Sequence, residues 1–320
     1  MSDESAIRDP RSAIAYIFPG QGSQSVGMGK DLFENFTAAR EVFEAADDAL
    51  GFSMSDLCFS GDEAELQLTA NTQPAILTVS VAAYHSARAE GLPEPDYVAG
   101  HSLGEYSALV AAGVIEFADA VRTVRNRGTY MQQAVPVGVG AMAAILGLDV
   151  DDVVAGCAEA ANGQICNAAN INSGTQVVIA GNVEAVDRAC ELLTEKGAKR
   201  AIKLNVSAPF HCQLMMPAQE RLEADLATLE YSEFLFPIVH NVDAGISDNS
   251  TEVADKLTRQ VSSPVRWLET IENLRAAGVK KFVEIGPGKV LTGLVRQIDK
   301  EALYANIENT DSLRNTLETL

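Results

Sequence analysis

The sequence predicts an α/β protein, with a parallel-sheet body that is interrupted by a small α+β subdomain. Three observations lead to this prediction. Short apolar runs alternate with long helical patterns in the first and last parts of the chain, as they do around parallel sheets. The middle part instead follows the order β-α-β-β-α-β of a split βαβ, or ferredoxin-like, unit. The 320 residues, 47% of them hydrophobic, suffice for one large or two modest domains with a buried core.

The first part of the chain predicts two strands and four helices. Residues 13–18 (AIAYIF) form an apolar strand that ends at Pro19-Gly20. A second strand in DYVA leads into GHS and then into a helix that runs through about Ala112. The other three helices are expected at residues 31–50, ended by Gly51, at 74–90, with Pro74 in the first turn, and at 117–134.

The middle part predicts the inserted subdomain. Strands are expected at residues 142–148, 164–171, 175–181 and 199–206, and helices at 149–161 and 182–197. Gly138 and Gly140 before this unit, and Ser207-Ala208-Pro209 after it, would serve as hinges. We therefore expect a flexible lead-in over residues 1–12, a large α/β subdomain over 13–137 and 208–320, and a small ferredoxin-like subdomain over 138–207.

The last part returns to the α/β pattern. Its elements are expected as helices at residues 217–229, 253–261 and 266–277, a strand at 236–243, and a strand–turn–helix unit at 280–291. A crevice between the two subdomains is the default location for a ligand site.

Composition and charge exclude several classes of function. The net charge of −20, without a basic cluster, argues against nucleic-acid binding. No apolar run reaches the roughly 18 residues that a membrane span needs, and the polar N-terminus lacks the apolar region of a secretory signal. The cysteines and histidines show no metal-ligand spacing, so we expect no metal site and reduced thiols in a cytoplasmic protein.

The stretch GHSLGEYSAL, residues 100–109, places Ser102 between two glycines in the pattern G-x-S-x-G. Between a strand and a helix, this pattern forms a tight turn that exposes the serine as a nucleophile. The next amide, the Leu103 N–H, can then point at a developing oxyanion at the helix N-terminus. A serine hydroxyl needs a base, and both His211 and His240 lie near predicted strand ends. The residues alone leave this choice open.

A second distinctive loop, FPGQGSQSVGMGKD, covers residues 18–31. It is glycine-rich and follows a strand, but it matches neither a P-loop nor a dinucleotide-binding pattern. Gly29-Lys30 is followed by Asp31 instead of Ser or Thr, and Ser25 stands where the dinucleotide pattern has its third glycine. What remains is a loop that can bring backbone amides close to a ligand. Gln21 is well placed to supply one such amide.

Together the motifs resemble one known family. FPGQGSQ, GHSLGEYSAL, RNRGTYMQQA with GVGAMAAI, ANINSGTQVVIAG, VSAPFHC and EIGPGKVLTGL occur in this order from about residue 13 to the C-terminal region. These motifs and their order resemble those of the malonyl-CoA:acyl-carrier-protein transacylases of fatty-acid synthesis and of the related acyltransferase domains of polyketide synthases. Several motifs in register are more specific than any one of them.

The resemblance implies a fold, a site and a reaction. The fold is an α/β-hydrolase-like body with a ferredoxin-like insert. By this resemblance, Ser102 would be the nucleophile, His211 the base and Arg127 the clamp of the malonyl carboxylate. Gln21 and Leu103 would supply the oxyanion-hole amides. The backbone carbonyl of Gln260 would orient the histidine. The Asn170 and Asn172 side chains would line the site from the insert. The implied reaction is ping-pong transfer of a malonyl group from malonyl-CoA to acyl carrier protein, without a cofactor.

Physical chemistry supports the clamp independently, because a buried carboxylate needs a partner and a guanidinium grips both its oxygens. Phe210, next to the base, favours malonyl over branched acyl groups by the same resemblance. Acyl carrier protein is acidic, so docking on this acidic chain requires a local basic patch. The candidate patches are Lys199, Arg200 and Lys203, or alternatively Lys280, Lys281, Lys289 and Arg296.

Other functions compete with this interpretation. A stand-alone polyketide-type acyltransferase would use the same residues. A serine hydrolase, either a thioesterase or a patatin-like lipase, would use Ser102, and Asp243 in Asp243-Ala244-Gly245 superficially resembles the aspartate of a patatin dyad. A lipase has no use for a carboxylate clamp, so Arg127 discriminates between the two classes. A non-catalytic subunit of a larger synthase is disfavoured, since it would be free to lose the catalytic residues.

Overall fold

The computed structural model describes residues 13–206 and 208–320, so the predicted lead-in over 1–12 lies outside the described residues. The predicted fold class is confirmed: the protein is a mixed α/β structure with one sheet that is mostly parallel and a second, small antiparallel sheet. The strands are β1 Ala13–Phe18, β2 Tyr97–Gly100, β3 Gly140–Leu146, β4 Cys166–Ser173, β5 Gln176–Asn182, β6 Arg200–Lys203, β7 Ile238–Val239, β8 Ile246–Ser247, β9 Val279–Ile285 and β10 Leu303–Ile307.

The larger sheet has the strand order β10-β9-β1-β2-β7-β8, and all its pairs are parallel except β7 with β8. The central strand β1 is apolar and buried along its last four residues, as expected for a strand covered on both faces. Phe18 pairs with Gly100, so β1 and β2 end at the same edge. The His101 N–H donates to the Phe18 carbonyl at 3.0 Å, and this bond ties the turn after β2 to the end of β1.

Helices cover the larger sheet and one side of the smaller one. They are α1 Lys30–Asn35, α2 Thr37–Leu50, α3 Met54–Ser60, α4 Glu63–Gln67, α5 Thr69–Ala89, α6 Gly104–Ala111, α7 Phe117–Gln133, α8 Val150–Ala161, α9 Val183–Glu195, α10 Met216–Leu226, α11 Val253–Gln260, α12 Trp267–Ala276, α13 Val290–Ile298 and α14 Thr310–Thr319. Across residues 13–206 and 208–320, no helix combines the length and apolar character needed to cross a membrane.

Some predicted elements differ from the observed ones. The helix predicted over 31–50 is two helices, because Phe36 adopts an extended conformation (φ −126°, ψ 129°) between them. The helix predicted over 74–90 begins at Thr69, so Pro74 lies inside α5. Proline lacks the N–H that would bond the carbonyl four residues earlier. That carbonyl, of Ala70, accepts from the Arg125 Nη1 at 2.7 Å instead, which compensates for the missing bond.

The small sheet has the order β4-β5-β3-β6 with all pairs antiparallel, and α8 and α9 pack on it. This is the strand order of the ferredoxin-like unit. Strand β4 is also bonded to the body: the Ile171 N–H donates to the Val265 carbonyl at 2.9 Å, and the Val265 N–H to the Ala169 carbonyl at 2.8 Å. These bonds place β4 beside the residues that follow α11. The predicted subdomain boundaries stay a prediction.

Candidate active site

Ser102 lies on the turn between β2 and α6, with a positive φ of 51°. Only glycine fits on either side of it. A Cβ on Gly100 would lie 1.9 Å from the Gly104 carbonyl carbon, and a Cβ on Gly104 would lie 2.0 Å from the Phe18 oxygen. Such contacts are shorter than atoms tolerate, so both glycines are needed for strand, turn and helix to pack this closely. The turn has the geometry that exposes a nucleophilic serine at the end of a sheet.

His211 is the histidine that contacts this serine. Its Nε2 lies 2.8 Å from the Ser102 Oγ, and its Nδ1 lies 3.0 Å from the Gln260 backbone oxygen. The carbonyl can only accept, so Nδ1 carries the proton and Nε2 presents its lone pair to the hydroxyl. Burial, and next the nearby positive charge of Arg127, lower the pKa of His211 to about 3. The imidazole is therefore neutral at pH 7 and able to accept the serine proton.

The alternative partners have other contacts. The His240 Nδ1 lies 2.7 Å from Glu105 Oε1, in a pair that is fully buried. Asp243, the candidate for a patatin-like dyad, lies in an ion pair, 3.1 Å from the Lys256 Nζ. The group that orients His211 is thus a backbone carbonyl and not a carboxylate.

Arg127 projects from α7 into the site, and its side chain is 1% exposed. Its Nη1 donates to Gln73 Oε1 at 2.8 Å, and its Nη2 donates to Gln260 Oε1 at 2.9 Å and to the Ser102 Oγ at 3.0 Å. Burial lowers the pKa of Arg127, while the interactions with Tyr106 and Glu105 oppose this shift. Within the described residues, no carboxylate lies at ion-pairing distance from the guanidinium. It is therefore a fixed, buried cation beside the nucleophile.

Two backbone amides are candidates for an oxyanion hole. Gln21 and Leu103 both line the cavity that holds Ser102, and neither N–H has an acceptor among the described residues. The Ser102 N–H is not free for this purpose, because it donates to Asn241 Oδ1 at 2.6 Å. Unpaired backbone N–H groups beside a nucleophile are the kind of donors that can stabilise a tetrahedral oxyanion.

The cavity has a volume of about 410 Å³ and is formed by the loops after β1 and β2, by helices of the body, by the small sheet and by the loop after β6. It is lined by Gln21, Gly22, Gln24, Gln67, Gln73, His101, Ser102, Leu103, Arg127, Met131, Met142, Asn170, Leu204, Asn205, Val206, Phe210 and His211. The insert contributes Asn170 from β4, and Phe210 is buried beside His211. Asn172 has a different contact, since its Oδ1 lies 2.9 Å from the His101 Nε2. The predicted site residues thus share one cavity, except that Gln260 and Asn172 lie behind its wall.

Three residues of the site were not anticipated from the sequence. Gln73 orients Arg127 by accepting a hydrogen bond from it. Asn241 holds the turn, because it accepts from the Ser102 N–H and its Nδ2 donates to the Gly100 carbonyl at 2.7 Å. Glu105 is buried and accepts three hydrogen bonds near Gln260. Glu105 stands in the quoted motif, but the G-x-S-x-G pattern itself assigns it no role. Gln73 and Asn241 come from distant segments, so no local pattern indicates them.

No group of three or more His, Cys, Asp or Glu residues is arranged to hold a metal ion in the described ranges 13–206 and 208–320. The five cysteines are free, and four of them are buried.

Comparison with known proteins shows the family of this chain. The acyl transferase domain family matches residues 15–313. Malonyl CoA-acyl carrier protein transacylase of Escherichia coli (strain K12) is 50% identical over 305 residues, which cover 95% of this chain and 99% of that protein.

Two solved structures are similar over nearly the whole chain. An acyl carrier protein S-malonyltransferase from Vibrio cholerae has a TM-score of 0.93 at 46% identity and covers 95% of this chain and 100% of its own. The second comes from a complex of a type II PKS acyl-carrier protein with its malonyl-transacylase. It has a TM-score of 0.94 at 47% identity, with coverage of 97% and 100%.

Proposed function

The chain belongs to the acyl transferase domain family, and we propose that it transfers the malonyl group of malonyl-CoA to the phosphopantetheine thiol of an acyl carrier protein. One observation carries the proposal. The Ser102 Oγ lies between the His211 Nε2 at 2.8 Å and the Arg127 Nη2 at 3.0 Å. A nucleophile, a neutral base and a buried cation thus meet in one cavity, which is what transfer of an acid-bearing acyl group requires.

In the first half-reaction, the Ser102 Oγ attacks the thioester carbonyl carbon and its proton passes to the His211 Nε2. The carbonyl oxygen becomes an oxyanion that the N–H groups of Leu103 and Gln21 stabilise; one such donor is typically worth about 3 kcal/mol. The C–S bond then breaks, CoA leaves as the thiol with the proton from His211, and malonyl-Ser102 remains. The Gln260 carbonyl stabilises the imidazolium that forms in between.

In the second half-reaction, the phosphopantetheine thiol gives its proton to His211 and attacks the ester carbonyl of malonyl-Ser102. The C–O bond breaks, the serine recovers its proton, and the malonyl thioester leaves on the carrier protein. All acid–base groups come from this chain, so the proposed reaction uses no cofactor. Because CoA departs before the carrier reacts, the kinetics are ping-pong.

Arg127 is the proposed clamp for the free carboxylate of the malonyl group. A carboxylate enters a buried site only with a partner, and the two terminal nitrogens of a guanidinium can bind both its oxygens. Gln73 and Gln260 hold these nitrogens through their side-chain oxygens, so the clamp is oriented before the substrate arrives. This feature supports malonyl transfer over a lipase or thioesterase function, whose substrates carry no such charge.

The carrier-docking surface is a further part of the proposal. Of the predicted patches, Lys203 pairs with Asp187 at 2.6 Å and Lys289 pairs with Glu308 at 3.3 Å, which reduces their net contribution. Lys199 and Arg200 have no ion-pair partner among the described residues, and they lie at the start of β6, at the opposite end of that strand from residues 204–206, which line the cavity. If attraction drives docking, rising salt slows the second half-reaction but not the first. We also propose a cytoplasmic location, where malonyl-CoA and carrier protein are available.

Intact-protein mass spectrometry tests the proposal. The chain is mixed separately with malonyl-CoA, acetyl-CoA and methylmalonyl-CoA, and the mass of the adduct is measured over time. The expected result is a malonyl adduct that maps to Ser102, with little acetyl or methylmalonyl labelling. Equal labelling by acetyl-CoA would contradict the clamp, and release of free malonate without an adduct that a carrier thiol can accept would favour a hydrolase.

Supply of malonyl units for fatty-acid synthesis is the proposed pathway role, and a polyketide carrier is the alternative, favoured by the similar structure solved with a type II PKS acyl-carrier protein. Parallel transfer assays with a fatty-acid and a polyketide carrier protein, compared by kcat/KM, decide between them.

A further inference from the structure

Glu105 is a buried carboxylate that the proposed mechanism does not use. Its side chain lies in the first turn of α6, three residues after Ser102, and is fully buried. Burying a carboxylate is costly unless hydrogen bonds satisfy it. Here three donors do so: the His240 Nδ1 at 2.7 Å to Oε1, and the Asn241 N–H at 3.0 Å and the Gln260 Nε2 at 2.8 Å to Oε2.

The contact with Gln260 determines how that amide is oriented. Its Nε2 donates to Glu105 Oε2 and to the Ser102 carbonyl at 2.9 Å. A side-chain amide has its nitrogen and its oxygen on opposite sides, so Oε1 must then face the other way. On that side it accepts from the Arg127 Nη2 at 2.9 Å. A reversed amide would instead present two N–H groups to a guanidinium, which cannot accept them.

We propose that Glu105 is a positioning residue that orients the Gln260 amide and thereby fixes the guanidinium of Arg127 for the malonyl carboxylate. The inference rests on the proposed function of Arg127 as the carboxylate clamp. Glu105 touches neither the serine hydroxyl nor the cavity-lining atoms of Arg127, so its action passes through Gln260.

Two substitutions of nearly the same length separate this role from a general structural one. In Glu105→Gln, the new amide oxygen can accept from Gln260 and Asn241, and its nitrogen can donate to His240 Nδ1. The His240 Nε2, which has no partner among the described residues, can then carry the proton. In Glu105→Met, the side chain fills the same space but offers the donors no comparable acceptor.

Glu284 supplies the matched control. It is also a fully buried carboxylate, and it accepts from the backbone N–H groups of Leu291 at 3.0 Å and Thr292 at 2.7 Å at the start of α13. It has no contact with Gln260 or Arg127. Glu284→Met therefore reproduces the loss of a buried, hydrogen-bonded carboxylate without affecting the clamp.

The experiment measures binding in a Ser102→Ala background, where no acyl transfer occurs. Isothermal calorimetry gives the Kd of malonyl-CoA and of CoA, which lacks the carboxylate. We expect Glu105→Met to weaken malonyl-CoA binding roughly tenfold or more and CoA binding less than about twofold. Glu105→Gln should keep both values near those of the background, and Glu284→Met should leave their ratio unchanged.

Equal weakening of both ligands by Glu105→Met, or no change in their ratio, overturns the inference. A double variant adds a check: in a Gln260→Met background, Glu105→Met should have less than about threefold further effect, because the same coupling is already lost. If Glu105→Met does not fold by circular dichroism, Glu105→Asp replaces it. Its shorter side chain should change the ratio in the same direction, and an unchanged ratio again refutes the inference.

The failure of this inference is distinguishable from the failure of the proposed function. If native Ser102 is not malonylated at all, the function is wrong. If malonylation is normal but the Glu105 variants bind both ligands as the background does, only the positioning role is wrong.

Discussion

Replacement of Gly104 by alanine tests whether the tight turn around Ser102 sets the rate of acylation. The added Cβ would lie 2.0 Å from the Phe18 oxygen, 2.7 Å from the Phe18 carbonyl carbon and 2.9 Å from the Pro19 oxygen. All three are backbone atoms of the end of β1 and the loop after it, so no side chain can rotate away. Helix α6 must therefore move away from β1 by roughly 1 Å to reach an ordinary contact distance.

This displacement affects catalysis and stability together. Ser102 and Leu103 directly precede Gly104, and their Oγ and N–H must keep their positions relative to His211. A misplacement of about 1 Å typically costs on the order of 10²-fold in rate. Overpacking of this kind also destabilises a protein by about 1–3 kcal/mol. We expect Gly104→Ala to fold with a lowered Tm and to be malonylated on the order of a hundredfold more slowly.

The assay is rapid-quench mass spectrometry of the single-turnover adduct, combined with thermal unfolding by circular dichroism. Gly293→Ala is the control, because a Cβ there meets no atom within 4 Å and α13 tolerates alanine without a positive φ. It should acylate at the native rate. An acylation rate for Gly104→Ala within about threefold of the native chain, at native Tm, would refute the argument.

Three further predictions concern the site. Arg127→Ala should lower kcat/KM for malonyl-CoA roughly a hundredfold or more by removing charge-assisted hydrogen bonds, and should affect acetyl-CoA much less; steady-state assays with both donors check this. The acylation rate should stay flat as the pH falls from 7 to 5, because the pKa of His211 is lowered to about 3 and the base stays neutral there; an inflection near 6.5 in pH-jump quench experiments would contradict it. Asn241→Ala should lower the Tm by several degrees, since the Ser102 N–H and the Gly100 carbonyl lose their partner; an unchanged thermal midpoint would show that water replaces it.

The fold class and the strand–turn–helix unit around Ser102 were predictable because they depend on local signals. The alternation of apolar runs and helices predicts the sheet, and the pattern around Ser102 requires a strand before it and a helix after it. The observed positive φ at Ser102 and the clash at Gly100 are the physical basis of that pattern. The order of elements in the insert was likewise readable from the period of its apolar residues.

The rest depended on contacts between distant segments. The residues alone could not choose between His211 and His240, since both lie near predicted strand ends. The structure places His211 against Ser102 and His240 against Glu105. Thr69 begins α5 five residues before Pro74 because a proline in an early turn is tolerated when another group satisfies the carbonyl it leaves free. Such compensation has no local sequence signature.

Malonyl-Ser102 is the proposed intermediate, and a carrier thiol is expected to consume it. The most direct measurement isolates the chain after reaction with malonyl-CoA, removes CoA, and then adds carrier protein bearing phosphopantetheine. Intact masses of both proteins are followed in time. We expect the adduct to leave Ser102 and to appear on the carrier in equal amount, faster than it is lost to water. Adduct loss at the same rate with and without carrier, or carrier malonylation by a Ser102→Ala chain, would contradict it.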